Sequence, residues 1–138
     1  MARVIIVAML LSAAILGGVL YYQQVYAYYD EGPADADAVM LTAVSTGTPE
    51  PVVVQNFQGI DAISSPLRYR ACFEVSLSLA TLTETFEILD NPEPRVAPPW
   101  FDCFDAAQLG ADVQTEAIVF MGVENIVYGI DRDVAVYP

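Results

Sequence analysis

From Val4 to Tyr22 the chain carries no charge and almost no polar side chain, and no charged residue follows until Asp30. At about 1.5 Å rise per residue this run predicts a helix of roughly 28 Å, close to the hydrocarbon thickness of a bilayer. Tyr21, Tyr22, Tyr26, Tyr28 and Tyr29 close it. Tyrosine suits that position, with its ring toward the lipid and its hydroxyl in the headgroup water. Beyond this segment the hydrophobic patterns shorten and change period.

Residues 30–50 mix Asp, Ala, Gly, Pro, Thr and Ser, which predicts an acidic linker, interrupted at most by a short strand over Val39 to Val44. Pro51 to Phe57 is rich in β-branched residues and predicts a strand. In Leu67 to Val75, Leu67, Tyr69, Ala71, Phe73 and Val75 alternate with Arg68, Arg70, Cys72 and Glu74, a strand with one apolar face. Arg68 and Arg70 share the other face and are expected to pair with carboxylates.

Ser76 to Glu87 places Leu79, Leu82 and Phe86 on one helical face, with Ser76 or Ser78 as cap. Four prolines between Asp90 and Pro99 exclude helix and central strand. Trp100 to Leu109 reads as a short helix ended by Gly110. Ala117 to Met121, Ile126 to Ile130 and Val134 to Tyr137 read as strands, with a turn at Gly122 to Asn125. The expected fold is therefore α+β: an N-terminal transmembrane helix, then a small domain with an antiparallel sheet and two short helices. The expected divisions are 1–29 for the anchor and its aromatic exit, 30–50 for the linker and 51–138 for the domain.

A cleaved signal peptide is the rival reading of the first segment, and Val25-Tyr26-Ala27 fits a cleavage site. Its apolar stretch exceeds the usual 7–15 residues of such signals, which favours a retained anchor. Arg3 is the one charged side chain before the span, and all 18 acidic residues lie after it. Positive charge beside a first span stays in the cytoplasm, which predicts a cytoplasmic N-terminus and a periplasmic domain on a bacterial inner membrane. Within the span, Ala13 with Gly17 and Ala14 with Gly18 are small pairs four apart, a spacing that lets a second helix pack closely.

Those 18 acids stand against four arginines beyond the span, Arg68, Arg70, Arg95 and Arg132, a net charge of −14 there. Such a domain repels nucleic acid and anionic lipid headgroups and attracts cations and basic proteins. Solubility alone is the simpler reading of the charge. Cys72 and Cys103 both follow the span and are expected to form one disulfide in an oxidising compartment. The alternative is two buried thiols.

Histidine and lysine are absent. That removes histidine-based triads, Schiff-base chemistry and the phosphate-loop lysine, leaving only carboxylates for catalysis. Asp102 and Asp105 are the closest such pair, and a solvated acidic face is the simpler reading. No calcium-loop pattern and no haem-attachment motif occurs, so no metal, cofactor or catalytic residue is expected. Trp100 after Pro98-Pro99 is either a core residue or, with Asp102 and Asp105, a partner contact.

The segments SPLRYRACFEV, LATLTETFE, WFDCFDAAQLG and ENIVYGIDRDVAVYP, with YYQQVYAYY closing the span, resemble a family of short single-span membrane proteins from alphaproteobacteria of the Rhodobacter and Paracoccus type. The resemblance implies that organism class and a membrane compartment, and that some relatives continue past the position of Pro138. It transfers no catalytic residue.

The expected role is a non-catalytic accessory subunit of a larger inner-membrane complex of respiratory or photosynthetic electron transfer. Its partners would be the lipid bilayer, the subunits of that complex and a basic soluble cytochrome c, with no nucleic acid. The alternative is a free-standing anchored assembly factor, chaperone or sensor.

Overall fold

The computed structural model describes residues 1–31, 39–62, 65, 67–125 and 131–138. The uninterrupted apolar run folds as one helix, α1 (Ala2–Tyr22), which passes into a π-helical turn over Gln23–Ala27. No residue of α1 is buried. Mean hydropathy reaches 2.5 over its most apolar stretch, so this N-terminal helix is long and apolar enough to span a membrane. Water is a poor solvent for this surface, where Leu10, Leu11, Ile15 and Leu16 are all exposed.

Two antiparallel sheets follow. The first has the order β1 (Asp30–Glu31), β4 (Val54–Asp61), β5 (Arg70–Val75). The second has the order β3 (Pro49–Pro51), β2 (Met40–Thr42), β6 (Phe120–Asn125), β7 (Asp131–Val136). Asp30 pairs with Asp61 and Glu31 with Ile60, so the chain enters a sheet within three residues of the π-helical turn.

The segment read as a linker over 30–50 thus contributes three strands, and Val39, Leu41 and Ala43 within it are buried. Its composition hides this because only alternate residues face inward. Val39, Leu41, Ala43, Val52, Val54, Leu82, Phe86 and Phe120 form one core, with Phe57, Phe73, Val75 and Val136 packed on it from both sheets. That is an α+β domain with two α-helices, which with α1 makes three among the described residues.

The strand expected at Pro51 to Phe57 runs instead as β3 and β4. Their partners override the β-branched run, and Asn56 takes a left-handed backbone (φ 51°) where the β4–β5 register shifts. Its amide donates to Glu74 Oε2 at 2.8 Å across that irregularity. The second helix, α2 (Leu79–Thr85), forms where its apolar spacing placed it. The Ser78 side chain accepts from the Thr81 amide, and Leu82 points into the core. The chain then crosses the second sheet, Phe86 bridging Ala43 and Ile88 bridging Phe120.

Two readings of the C-terminal half are corrected. The helix expected over Trp100 to Leu109 lies later, as α3 (Ala106–Gln114). Asp105 Oδ1 accepts from the amides of Ala107 and Gln108 and so sets its start. Gly110 sits inside α3 rather than ending it. The end comes at Glu116 (φ 74°), whose amide bonds the Val113 carbonyl while the Ala117 amide bonds that of Asp112. This paired closure normally has glycine at the left-handed residue.

The turn expected at Gly122 to Asn125 is strand β6. A Cβ on Gly122 would stand 2.8 Å from Val136 Cγ2 and 3.2 Å from the Met40 carbonyl, so its lack of side chain serves close packing between β2 and β7. The strand expected over Ile126 to Ile130 lies outside the described residues.

Candidate functional site

Two features carry chemistry: the junction between α1 and the domain, and a cleft between the sheets.

A helix end leaves its last carbonyls without partners inside the helix. Here the domain supplies two of the missing donors. Arg68 Nη1 donates to the Gln24 carbonyl at 3.3 Å, and Trp100 Nε1 donates to that of Val25. A cation at a helix C-terminus also opposes the negative end of the macrodipole.

Aromatic rings extend the contact. Trp100 stacks on Tyr26 with centroids 6.5 Å apart and meets Tyr29 edge-on at 5.9 Å. Arg68 lies over the Tyr29 ring at 5.6 Å. On its other side Trp100 meets Phe101, which is buried. The end of the apolar helix is therefore clamped to the domain by side chains from two separate loops. Trp100, singled out from the sequence, is committed to this clamp. Asp102 is exposed, and Asp105 is committed to capping α3.

The small residues Ala13, Ala14, Gly17 and Gly18 are all exposed, and no atom lies within 4 Å of a Cβ built on either glycine. No part of the described chain covers that side of α1.

The cleft encloses about 570 Å³ between β5, β7, the proline-rich segment and the disulfide. Cys72 on β5 and Cys103 are bonded, with Cα atoms 6.3 Å apart, which fixes the loop before α3 against the first sheet. Phe73, Phe104 and Val134 supply apolar wall. Arg70 stands within it, its guanidinium 5.6 Å from the Phe104 ring.

Arg70 donates from Nε to the Arg95 carbonyl at 3.0 Å, from Nη1 to those of Leu67 (2.9 Å) and Tyr69, and from Nη2 to that of Val96 (3.3 Å). Burial, above all, pulls its pKa below the usual arginine value, and Arg95 and Arg132 add to that. The carboxylate pairing expected for Arg68 and Arg70 is thus replaced by carbonyls and aromatic rings. Both arginines serve to tie loops together, and an irregular loop offers carbonyls that no strand has used.

Among the described residues the one ion pair is Arg132–Glu124, Nη2 to Oε2 at 2.8 Å. The two stand directly opposite in the β6–β7 register. Burial lifts the Glu124 carboxyl above its ordinary pKa, against the pull of Arg132. Burial, then Glu124 and Asp61, raise the Tyr69 phenol, which also lies beneath the Arg132 guanidinium at 5.5 Å. Tyr137 Oη is buried without a partner among the described residues, and burial raises its pKa.

Tyr69, Glu124, Arg132 and Tyr137 escaped the sequence reading. The signal that exposes the ion pair is the register of the β6–β7 hairpin, hidden by reading Gly122 as a turn. The cleft brings together the half-buried Arg70, the paired Arg132 and the phenols of Tyr69 and Tyr137. Among the described residues no three acidic or sulfur side chains are grouped to hold a metal.

A family model described as a family of unknown function, DUF6446, matches residues 39–138. The chain belongs to this family. The DUF6446 match opens at Val39, just before β2, so the unit it defines includes the buried residues of the segment read as a linker. Arg68 and Trp100 lie inside the DUF6446 region and reach out of it to the end of α1. No curated protein and no solved structure matches this chain.

Proposed function

We propose that this chain is a non-catalytic accessory subunit of a larger inner-membrane complex, its N-terminus cytoplasmic and its domain periplasmic. One observation carries the reading. The span exposes its entire length, Ala13, Ala14, Gly17 and Gly18 included, while its last turn is clamped to the domain. A helix so uncovered and so rigidly loaded is suited to lie against other transmembrane helices and hold a domain in a fixed pose.

The orientation is supported by Arg3 before the span and by all acids after it. In the alphaproteobacterial setting the resemblance implies, respiratory and photosynthetic complexes are the partners of choice. Net charge of this sign would raise the encounter rate of a basic soluble cytochrome c at low salt.

Gentle detergent extraction of the tagged full chain tests the reading. The expected result is co-migration with a large complex on native gels, released by Ala13→Leu with Gly17→Leu. Migration as a free monomer overturns it in favour of the second reading, an anchored factor that binds a client transiently. The cleft is the feature that favours this alternative. Salt-dependent cytochrome kinetics in a deletion strain test the recruiting role separately. Unchanged rates at low ionic strength remove it.

A further inference from the structure

Of the four arginines beyond the span, Arg68 reaches the end of α1 directly, and Arg70 joins its loop to the one that carries Arg95. Arg70 binds the carbonyls of Leu67, Arg95 and Val96 with a single guanidinium, which holds the 67–69 loop beside the 95–100 loop. Each of these loops also reaches the π-helical turn, through Arg68 to Gln24 and through Trp100 to Val25. The depth of both loops is thereby set by the anchor.

The 21 residues of α1 take up about 31 Å, the thickness of the hydrocarbon layer. Gln24 and Val25 then lie at headgroup level, and so do the groups bonded to their carbonyls. Near these junction contacts in sequence, the two loops expose two aliphatic side chains, Leu67 at 54% and Val96 at 80%. Arg95 beside Val96 is exposed as well.

We propose that these two loops form a bilayer-contact face: Leu67 and Val96 enter the upper acyl region, and Arg68 and Arg95 hold phosphates of zwitterionic phospholipids. The occupant follows from the charge pattern. A net charge of −14 on the whole domain opposes an anionic surface. The local field is mixed, because Asp30 and Glu31 follow the same exit and Asp61 pairs with Asp30. A headgroup carrying both a phosphate and an ammonium matches arginines and carboxylates side by side. Long arginine side chains reach such phosphates while their stems lie along apolar surface. The face extends the membrane contact that α1 begins and is independent of which complex the span joins.

Trp100 is the only tryptophan, so Trp100→Phe gives a background in which one new indole reports depth. The full chain is placed in zwitterionic nanodiscs, plain or brominated near the headgroup end of the acyl chains. Three reporters are compared: Leu16→Trp within α1, Val96→Trp on the proposed face, and Val53→Trp. Val53 adjoins the start of β4, whose eight residues carry it roughly 23 Å from Asp61 and the exit.

The face predicts that Val96→Trp emits to the blue of Val53→Trp and is quenched by brominated lipid, while Val53→Trp is not. Adding Arg95→Glu weakens that quenching. If Leu16→Trp is quenched and Val96→Trp is not, the face is overturned while the span stands. If Leu16→Trp itself is unquenched, the span fails and the face with it. Leu67→Trp replaces Val96→Trp if the latter does not fold, with the same outcomes.

Discussion

Trp100 Nε1 donates a hydrogen bond to the carbonyl of Val25, a residue 75 positions earlier in the chain. The contact joins the end of a membrane-length helix to the loop that leads into the disulfide at Cys103. It gives the indole one end among tyrosines and another against the buried Phe101. Trp100→Phe keeps a stacking ring and loses the donor, costing about 1 kcal/mol, the worth of one hydrogen bond. Trp100→Ala loses both and costs about 2–3 kcal/mol. Hydrogen exchange in micelles reads this locally. Faster exchange at the Tyr28 and Tyr29 amides is expected for Trp100→Ala, and unchanged exchange there means that the ring does not hold the junction.

The disulfide closes a loop of 31 residues in sequence separation. In the chain-entropy description that constraint is worth about 3–4 kcal/mol against the unfolded chain. Cys72→Ser with Cys103→Ser should lower the unfolding free energy of the domain by that amount, read as a lower urea midpoint. A midpoint equal to that of the parent chain contradicts the assignment.

Glu116 occupies the left-handed residue that closes α3. A non-glycine residue pays about 1–2 kcal/mol for this backbone. Glu116→Gly removes that strain and adds some unfolded-state entropy, so a net gain of about 1 kcal/mol is expected. Equilibrium unfolding of the two proteins compares them directly, and a loss of stability would show that the Glu116 side chain contributes more than its backbone costs.

Glu124 titrates above the ordinary carboxylate value of 4.5 in the fold because burial opposes its charge. Between its unfolded and folded pKa the native state binds more protons than the unfolded state, so this group makes stability fall as pH rises through that window. Acidification toward pH 4.5 therefore restores stability through Glu124. Glu124→Gln should flatten the pH profile in that window relative to the parent. Parallel profiles for the two proteins would mean that the carboxyl titrates alike folded and unfolded.

The α1 segment was fully legible because it is a local property. An uncharged apolar run without proline makes a helix in lipid whatever follows it. The start of α2 was legible to within two residues, Ser76 or Ser78, for the same reason, since a cap acts within three residues, and the structure selects Ser78. Two cysteines pointed to one disulfide only on the expectation of an oxidising compartment, with two buried thiols as the alternative, and the structure bonds Cys72 to Cys103.

What local pattern left open was decided by neighbours far away in sequence. Gly110 and Gly122 carry similar local signals. One lies inside a helix whose true end is Glu116, and the other lies in a strand because Val136 and Met40 press against it. Leu41 falls in the stretch where the sequence allowed at most a short strand within a linker, and it is β3 and β6, pairing on either side, that bury it. Arg68 and Arg70 read as ion-pair residues until two loops bring carbonyls within reach. By itself the sequence determined an apolar helix long enough to span a membrane, an acidic domain behind it and two cysteines available to pair, since composition and short-range spacing suffice for each. The tertiary structure decided the sheet order, the Glu124–Arg132 pair, the cleft and the clamp on α1. Each of these depends on strands and loops meeting across tens of residues, where pairing partners are set by the shared core rather than by adjacent side chains.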